Sequence, residues 1–500
     1  MIHSANEQQI RPLSENVLNT SRINYDAVPH NSTRLSNASK AATVLCVLAG
    51  LLCLGFGASS VNLFFTSVGL FCFAIMLLPI AVNRRYDLLS CWSMALLSVT
   101  LGCLLRGFYI GLNYPDHQTL DFLYFLGSPL EEFYGPAIYL SLFLLFCTIG
   151  YGVAPVKSKL KTENGNLQID KRRIYIFAFL ALAIALVSSI LYVQLTGGFD
   201  WQNLSSKRTA ITSLEISASH RTYGFLRLFA SIAILAHLVV LADAIRSSYK
   251  KKRKYSLAVI LFLSAVFIPI YGSTRSDVFV YTILSMAVLY FCSKRIPWVR
   301  VLASLVAAIF IFQTMSVLRS AKNLSFIDVL TAQTINVSIL DRLILNRNSL
   351  ELGKTAHVIN AVPEQLDYRY GATIGVWALA IIPRGIWNSK PLISSGPVIG
   401  TTVYGNRTSG VPPGVAAELY WNFHLIGIVI GGLFIGGLFK WIDKRFKPSS
   451  SSSISTLAIY LYGPFTIGYL IFGAGIGFGI FGALIKTIVA MTAFKFMRIR

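Results

Sequence analysis

Residues 413–447 read PGVAAELYWNFHLIGIVIGGLFIGGLFKWIDKRFK: an apolar run over 413–438, followed by a cluster of cations. An α-helix rises about 1.5 Å per residue, so about 20 apolar residues cross the roughly 30 Å hydrocarbon core of a bilayer. Cations gather at the cytoplasmic ends of such helices. The stretch therefore predicts a transmembrane helix whose carboxyl end lies at the cytoplasmic face.

The rest of the chain repeats this pattern. Its 500 residues are 54% hydrophobic and 13% charged, with a mean hydropathy of +0.62, far outside the range of soluble globular proteins. About twelve apolar runs have spanning length, at 41–58, 62–82, 88–112, 135–154, 174–195, 223–243, 256–271, 277–293, 299–318, 413–438, 455–470 and 476–495. We therefore predict an all-α polytopic membrane protein of about twelve transmembrane helices.

The positions of the cations predict the topology. The net charge is +23, and the basic loops alternate along the chain so that they share one side when both termini are cytoplasmic. This gives a polar cytoplasmic tail (1–40), nine spans with an outer loop at 196–222 (41–318), a large outer loop (319–412), and three last spans with a short cytoplasmic terminus (413–500). The polar start of the chain lacks the pattern of a cleaved signal peptide. Nucleic acid is not an expected partner.

Metal and nucleotide chemistry find no support in the sequence. All seven cysteines fall in or at the ends of predicted spans, so neither disulfides nor a thiolate metal site is expected. The HExxH, Walker and GxSxG motifs, acidic DxD pairs and paired Cys/His spacings are missing. We expect no metal and no cofactor.

The two long outer loops hold most of the cations that depart from the positive-inside pattern. Residues 319–360 have apolar positions at helical spacing, which predicts amphipathic helices on the bundle or at the interface. Residues 380–397, AIIPRGIWNSKPLISSGP, combine three helix-breaking prolines with Arg384 and Lys390. Several arginines converging on an outer cavity would suit a phosphate-bearing lipid. The outward cations are Lys207, Arg208, Arg221, Arg275, Arg319, Lys322, Arg342, Arg347, Arg369, Arg384, Lys390 and Arg407.

Each arginine also has a plainer interpretation, as a snorkelling side chain or as the partner of a loop carboxylate. Arg275 stands out because it lies in a hairpin of a few residues, where Asp277 could hold its guanidinium. Arg106 and Arg227 lie inside predicted spans, where a charge is costly unless it faces a polar cavity or a partner.

Glu418 is the leading acid–base candidate. It lies where the 413–438 span enters the membrane, flanked by aromatic residues, and poor solvation of a carboxylate there would suit a general base. A residue that merely begins the helix at the interface is the alternative. His220, His357 and His424 are further candidates.

At IIPRGIWNSKP (381–391) and GVPPGVAAELYWNFHLIGIVIGGLFIGG (410–437), with LSSKRTA (204–210) and GSTRSD (272–277) upstream, the chain resembles Wzy-type O-antigen polymerases, also called oligosaccharide repeat unit polymerases. The likeness covers roughly residues 170–440 and includes the family's layout of about a dozen spans with two arginine-bearing periplasmic loops. It implies the multispan architecture of lipid-dependent glycosyltransferases in a bacterial inner membrane.

The resemblance implies a metal-independent transfer. The growing glycan leaves its undecaprenyl diphosphate for a sugar hydroxyl of a new lipid-linked unit, while arginines stabilise the leaving diphosphate. Carried over to this chain, it implies catalytic roles for Glu418 and Arg275. Substrate-binding roles fall to Arg208, Arg221, Arg384, Lys390 and Arg407.

The partners implied are the lipid-linked oligosaccharide, membrane lipids and a chain-length-regulating co-polymerase. The family's loop pattern, an arginine with a glycine about eleven residues on, has a partial echo in Arg384 and Gly396 and no equally convincing second copy. Two other functions remain open. An O-antigen ligase shares the chemistry and differs in acceptor, whereas a glycan flippase or exporter would more often show two similar halves.

Overall fold

The computed structural model of the chain is helical, and the residues that it describes contain no β-strand. Those residues are 37–57, 60–82, 89–113, 130–155, 170–198, 223–247, 251–272, 274–293, 352–382, 386–387, 389–405, 410–448 and 452–498, with isolated positions between 299 and 306.

Seventeen α-helices follow one another in these ranges. They are α1 (Asn37–Gly57), α2 (Val61–Val82), α3 (Cys91–Val99), α4 (Arg106–Asn113), α5 (Tyr134–Val153), α6 (Lys171–Leu195), α7 (Phe225–Ala230), α8 (Ile232–Arg246), α9 (Lys251–Tyr271), α10 (Arg275–Cys292), α11 (Leu352–Asn360), α12 (Ala372–Gly375), α13 (Gly396–Thr402), α14 (Val415–Arg445), α15 (Ile454–Tyr462), α16 (Ile467–Ala474) and α17 (Ile476–Met497). A π-helix, Thr100–Leu105, joins α3 to α4, and a 3₁₀ turn, Leu130–Phe133, precedes α5.

Nine helical stretches among the described residues are long and apolar enough to cross a membrane. They are Val61–Ala81, Cys91–Asn113, Leu130–Val153, Lys171–Leu195, Phe225–Arg246, Lys251–Tyr271, Val415–Arg445, Ile454–Ala474 and Ile476–Met497. Shorter apolar helices occupy Lys40–Leu52, Ser276–Cys292 and Ala372–Ile381. The chain is therefore an all-α polytopic membrane protein. Most of the predicted run at 299–318 lies outside the described residues, so the total of twelve spans stays a prediction.

Hydrogen bonds join helix ends at one end of the bundle, here called the basic end. Lys440 of α14 donates to the carbonyl of Gly152 at the end of α5, 2.6 Å away. Arg246, which ends α8, donates to the carbonyl of Ser452 before α15 at 2.8 Å. The ends predicted to share the cytoplasmic side thus meet in space. The side of the membrane that they face remains a prediction.

A backbone-to-backbone seam joins α5 and α14. A Cβ atom added at Gly436 would lie 1.9 Å from the carbonyl oxygen of Cys147, and one at Gly150 would lie 2.2 Å from that of Leu433. No other residue type fits at so close an approach. The seam therefore fixes α14 against α5 over the half of both helices nearer the basic end.

The helix α14 is two helices that meet at a sharp bend. Phe423 and His424 have non-helical dihedral angles, and His424 has a φ of 54°. A Cβ atom at Gly431 would lie 2.4 Å from the side chain of Leu419, although twelve residues of continuous helix would separate the two by roughly 18 Å. The first part, residues 415–422, therefore folds back against the long helix of residues 425–445. We call residues 415–422 the arm.

This bend corrects the predicted span boundary at 413–438. The continuous long helix begins near Leu425 and extends to Arg445, which at 21 residues is roughly 31 Å, a full membrane crossing. The arm is apolar enough to read as the start of a span. It instead packs inside the bundle, with Leu419 beside Gly431, roughly 9 Å along the long helix from Leu425.

Candidate functional site

A layer of short helices and irregular backbone, residues 352–405, covers the end of the bundle opposite the basic end. Its first helix, α11, contacts the start of α5: Asn360 donates a hydrogen bond to the carbonyl of Glu132 at 3.1 Å, and the rings of His357 and Phe133 lie 6.3 Å apart. At the far end of the layer, Tyr404 stacks on His357 at 5.4 Å. Of the predicted amphipathic region 319–360, only this helix is described, and it is mostly buried.

Glu418 lies at the centre of a buried hydrogen-bond network between the arm and this layer. The side chain of Glu418 is 2% exposed. Its Oε1 accepts from the Thr373 hydroxyl at 3.0 Å, and its Oε2 accepts from the backbone N–H of Ile476 at 2.7 Å. Asn422, one turn further along the arm, donates to Thr373 at 2.7 Å and accepts from the N–H of Gly371 at 2.8 Å. The carboxylate therefore ties three separate segments together.

The Ile476 N–H belongs to the first turn of α17, so Glu418 caps that helix. Helix N-termini carry unsatisfied N–H groups and a partial positive charge, and a carboxylate satisfies both. The chain reaches this point through a tight turn at Gly475, whose φ of 120° favours glycine. A Cβ atom there would lie 2.8 Å from Oε2 of Glu418. The partners of the carboxylate among the described residues are uncharged.

Trp421 holds the layer to the arm on a second side. Its indole N–H donates to the carbonyl of Asp367 at 2.8 Å, and its own carbonyl accepts from the N–H of Arg369 at 3.1 Å. The Arg369 guanidinium lies 5.6 Å from the centre of the Trp421 ring, a distance at which cations bind aromatic faces. Arg369, an outward cation of the sequence, therefore has a described partner in the arm.

Lys390 closes the loop that carries Arg384. Its side chain is buried, and its ammonium donates to the carbonyl of Ile382 at 2.6 Å, so the two flanks of the loop are held together. Residues 383–385, including Arg384, lie outside the described residues. The prolines were expected to break any helix here, but Pro397 stands in the first turn of α13, where proline is compatible with a helix. The described backbone from Ile382 to Ser394 is non-helical.

Two basic side chains are buried at α11, one in this helix and one in α4. Lys354 is 1% exposed and Arg106, in α4, is 2% exposed. Burial and the nearby charge of Arg106, opposed by the Cys103 thiol, together lower the pKa of Lys354 to about 7. Burial also lowers the pKa of His357 to about 4, and its Nε2 has no hydrogen-bond partner among the described residues. Burial thus disfavours positive charge on both Lys354 and His357.

All four predicted substrate-binding arginines, Arg208, Arg221, Arg384 and Arg407, lie outside the described residues. Arg275 begins α10, but its side chain is not described, so its contact with Asp277 stays a prediction. The structure therefore places Glu418 and Lys390 of the predicted site. Both belong to the contacts that hold the layer in place.

Sequence reasoning missed four residues that the structure makes prominent: Thr373, Asn422, Lys354 and Asp443. Asn422 carried a signal, because a polar side chain four residues after Glu418 lies on the same helix face. Asp443 lies within the basic cluster KWIDKRFK, which the sequence analysis treated as a cytoplasmic loop, so its carboxylate was not considered. Thr373 and Lys354 gave no local signal, because their neighbours in space are distant in sequence.

Among the described residues, no group of three or more His, Cys, Asp or Glu side chains could hold a metal ion. Comparison of the chain with protein-family models, curated proteins and solved structures found no match. The candidate site must therefore be interpreted from its own geometry.

Proposed function

We propose that this membrane protein is a polymerase of lipid-linked oligosaccharides, which joins repeat units into a surface polysaccharide at the periplasmic face of a bacterial inner membrane. The observation that carries the proposal is the arm, which buries Glu418 inside the bundle and anchors the layer that holds the Arg384 loop. Irregular backbone and a carboxylate at such depth are costly, and membrane proteins keep them where they serve a substrate site.

In the proposed reaction, the bond between the glycan and the undecaprenyl diphosphate of the donor breaks, and a glycosidic bond forms to a hydroxyl of the acceptor. The diphosphate leaves with the bonding electron pair, and the hydroxyl proton passes to a base. Fixed cations stabilise the developing charge on the diphosphate. Arg384, Arg275, Arg208, Arg221 and Arg407 are the proposed sources of that charge.

The contacts of Glu418 favour a positioning role in the described conformation. Both carboxylate oxygens are engaged, and the side chain is buried, so it holds Thr373 and the α17 N-terminus in fixed relation. Direct proton abstraction by Glu418 would require one of these hydrogen bonds to open to the acceptor hydroxyl. Lys390 is proposed to fix the Arg384 loop rather than to meet the diphosphate alone.

One observation favours a lipid-linked glycan flippase as the second candidate. Transporters place binding sites at broken helices, where a helix N-terminus points at the site inside the membrane. The bend at Phe423–His424 and the α17 N-terminus beside Glu418 share these features. The same experiment separates the two functions.

The test compares the glycan patterns of two strains. One lacks the gene, and the other lacks the chromosomal gene and expresses the Arg384→Ala variant from a plasmid. Loss of one preorganised contact to a developing anion typically costs roughly 100- to 1000-fold in rate, so we expect glycans that stop at single repeats while protein abundance stays normal. Arg445→Ala, an exposed cation at the basic end, is the matched control and should give full-length polymer.

Other glycan patterns contradict the proposal. In the strain that lacks the gene, free lipid-linked polymer would identify a ligase, and a complete lack of outer-face glycan would identify a flippase. Full-length polymer with stably expressed Arg384→Ala would show that this cation is structural.

A further inference from the structure

Three helix ends meet at the basic end of the bundle: the starts of α6 and α9 and the end of α17. The backbone N–H of Asp170, which precedes α6, donates to the carbonyl of Met497 at 3.3 Å. The Arg173 guanidinium, in the first turn of α6, donates to the carbonyl of Arg498 at 2.6 Å. The start of α6 is therefore fixed against the end of α17.

The start of α9 is joined to α6 through a buried carboxylate of α8. Asp243 accepts from the ammonium of Lys254 at 2.6 Å and from the hydroxyl of Tyr175 at 2.8 Å. The Lys254 ammonium also lies 5.8 Å from the centre of the Tyr175 ring. Because Tyr175 and Lys254 each lie about one turn after the first residue of their helix, the first turns of α6 and α9 are neighbours.

Exposed cations without a carboxylate partner among the described residues are concentrated at these three helix ends. The two carboxylates nearby are already engaged, Asp170 with Arg173 at 3.6 Å and Asp243 with Lys254. Such a concentration of unpaired positive charge attracts anions. We call the following residues the cation patch: Lys171, Arg172, Lys251, Lys252, Arg253, Lys495 and Arg498.

Beside the cation patch, the same three helices have exposed apolar faces. Phe179 and Leu180 of α6, Leu263 of α9 and Ile488 of α17 are all largely exposed. These helices are long and apolar enough to cross a membrane, so lipid chains would cover these side chains. The surface therefore matches the two parts of a phospholipid, with an apolar part within the bilayer and a charged part at its edge.

We propose that the cation patch binds an anionic phospholipid whose head group carries two phosphates, as in cardiolipin. Clusters of roughly four to eight Lys and Arg side chains at the ends of transmembrane helices bind anionic lipid head groups, whereas a zwitterionic head group has no net charge to offset that of the patch. One phosphate engages about two or three cations, so a head group with two phosphates is needed to meet cations of both α6 and α9. The site is independent of the function proposed above, because it lies at the opposite end of the bundle from Glu418.

The experiment uses the purified full chain in detergent, with native mass spectrometry as the readout. The probes are cardiolipin, phosphatidylglycerol and phosphatidylcholine. We expect the affinity to fall in that order, because the net negative charge of the head group falls in the same order. Inorganic pyrophosphate at equal concentration should not displace cardiolipin, because the exposed apolar faces of the helices also bind the acyl chains.

Two double variants remove charge from the cation patch: Lys171→Gln with Arg172→Gln, and Lys251→Gln with Lys252→Gln. Each should weaken cardiolipin binding by roughly 30-fold, which corresponds to about 2 kcal/mol of binding free energy. All four side chains are exposed, so both double variants should fold like the unmodified protein.

The matched control is Lys444→Gln with Arg445→Gln, which removes the same charge from the exposed end of α14. That end packs on α5 rather than on α6, since Lys440 donates to the carbonyl of Gly152 there. The control should bind cardiolipin like the unmodified protein. An equal loss of binding in the control and in the patch variants would show a diffuse attraction to the whole basic end and would overturn the site. Unchanged binding in both patch variants, equal binding of phosphatidylcholine, or displacement by pyrophosphate would also contradict it.

Discussion

Helix α14 has two carboxylates that each cap another helix, Asp443 near the end of its long helix and Glu418 in its arm, and their surroundings differ. At the basic end, Asp443 accepts from the N–H groups of Cys91 and Trp92 at 2.7 and 3.4 Å, and from the hydroxyls of Tyr151 and Tyr460 at 3.1 and 3.5 Å. Every donor belongs to, or begins, a regular helix. Asp443 is half-buried and stabilises the junction of four helices.

At the opposite end, Glu418 also caps a helix, but it does so from an arm that folds back into the bundle. Its other partner, Thr373, belongs to the irregular layer, and the turn beside it needs the positive φ of Gly475. Capping a helix therefore does not by itself indicate function, because Asp443 also caps a helix and is surrounded by regular helices. The feature that distinguishes Glu418 is the strained, non-helical backbone gathered around it.

The largest expected effect concerns the side of the membrane on which each end lies. In a background without native cysteines, cysteines at positions 212 and 395 should label with an impermeant maleimide in intact spheroplasts, and one at position 247 should not. The reason is that basic loops stay cytoplasmic. Labelling only at position 247 would place Glu418 at the cytoplasmic end and remove the basis of the proposed function.

The next effect separates the two carboxylates by activity. Glu418→Gln should lower polymerisation per molecule by roughly 5- to 150-fold, because the amide nitrogen cannot accept one of the two hydrogen bonds with which the carboxylate positions Thr373 and the α17 N-terminus, and a lost buried hydrogen bond costs about 1–3 kcal/mol. Asp443→Asn should leave that rate unchanged and lower the free energy of unfolding by about 1–3 kcal/mol, because an amide group would face the backbone N–H groups that the carboxylate now satisfies. The measurements are glycan chain length normalised to protein abundance, and thermal unfolding in detergent.

A different result would show that Glu418 and Asp443 have the same structural role. If Glu418→Gln polymerises at the unmodified rate and is merely less stable, Glu418 is a structural cap of the same kind as Asp443.

The smallest effect tests the strained turn beside Glu418. Gly475→Ala should destabilise the protein by about 1–3 kcal/mol, because alanine is unfavourable at a φ of 120°. Its Cβ would also crowd Oε2 of Glu418. Gly482→Ala, inside α17 and with nothing within 4 Å of the added Cβ, should instead stabilise by up to about 1 kcal/mol. Equal shifts in unfolding temperature for both variants would show that the turn tolerates a side chain.

Much of the fold could be predicted from hydropathy, because a bilayer demands apolar helices of fixed length. Ten of the twelve predicted runs coincide with described helices within several residues, whereas the run 413–438 contains the bend and most of 299–318 lies outside the described residues. The bend at Phe423–His424 could not be predicted, since neither residue type signals a break and no proline or glycine lies between residues 415 and 425. It forms because Leu419, Trp421 and Asn422 find partners in other segments.

The candidate site was less accessible to sequence reasoning. Glu418 was identified because a lone carboxylate at the start of a span is conspicuous. Its partners Thr373 and Ile476 lie 45 and 58 residues away, and a backbone N–H leaves no trace in composition. Lys390 was read as a ligand for phosphate, whereas its described contact is with a backbone carbonyl. A cation in a loop does not show from sequence which partner it meets.

The glycine seam between α5 and α14 restricts how this protein can cycle. Where the backbones touch at Gly436 and Gly150, neither helix can slide or rotate past the other without a clash. The two helices therefore behave as one rigid unit. Substrate entry and product release must then involve movement of other elements: α1, which faces the bilayer, and the arm with its covering layer. Turnover would leave the middle of the bundle unchanged.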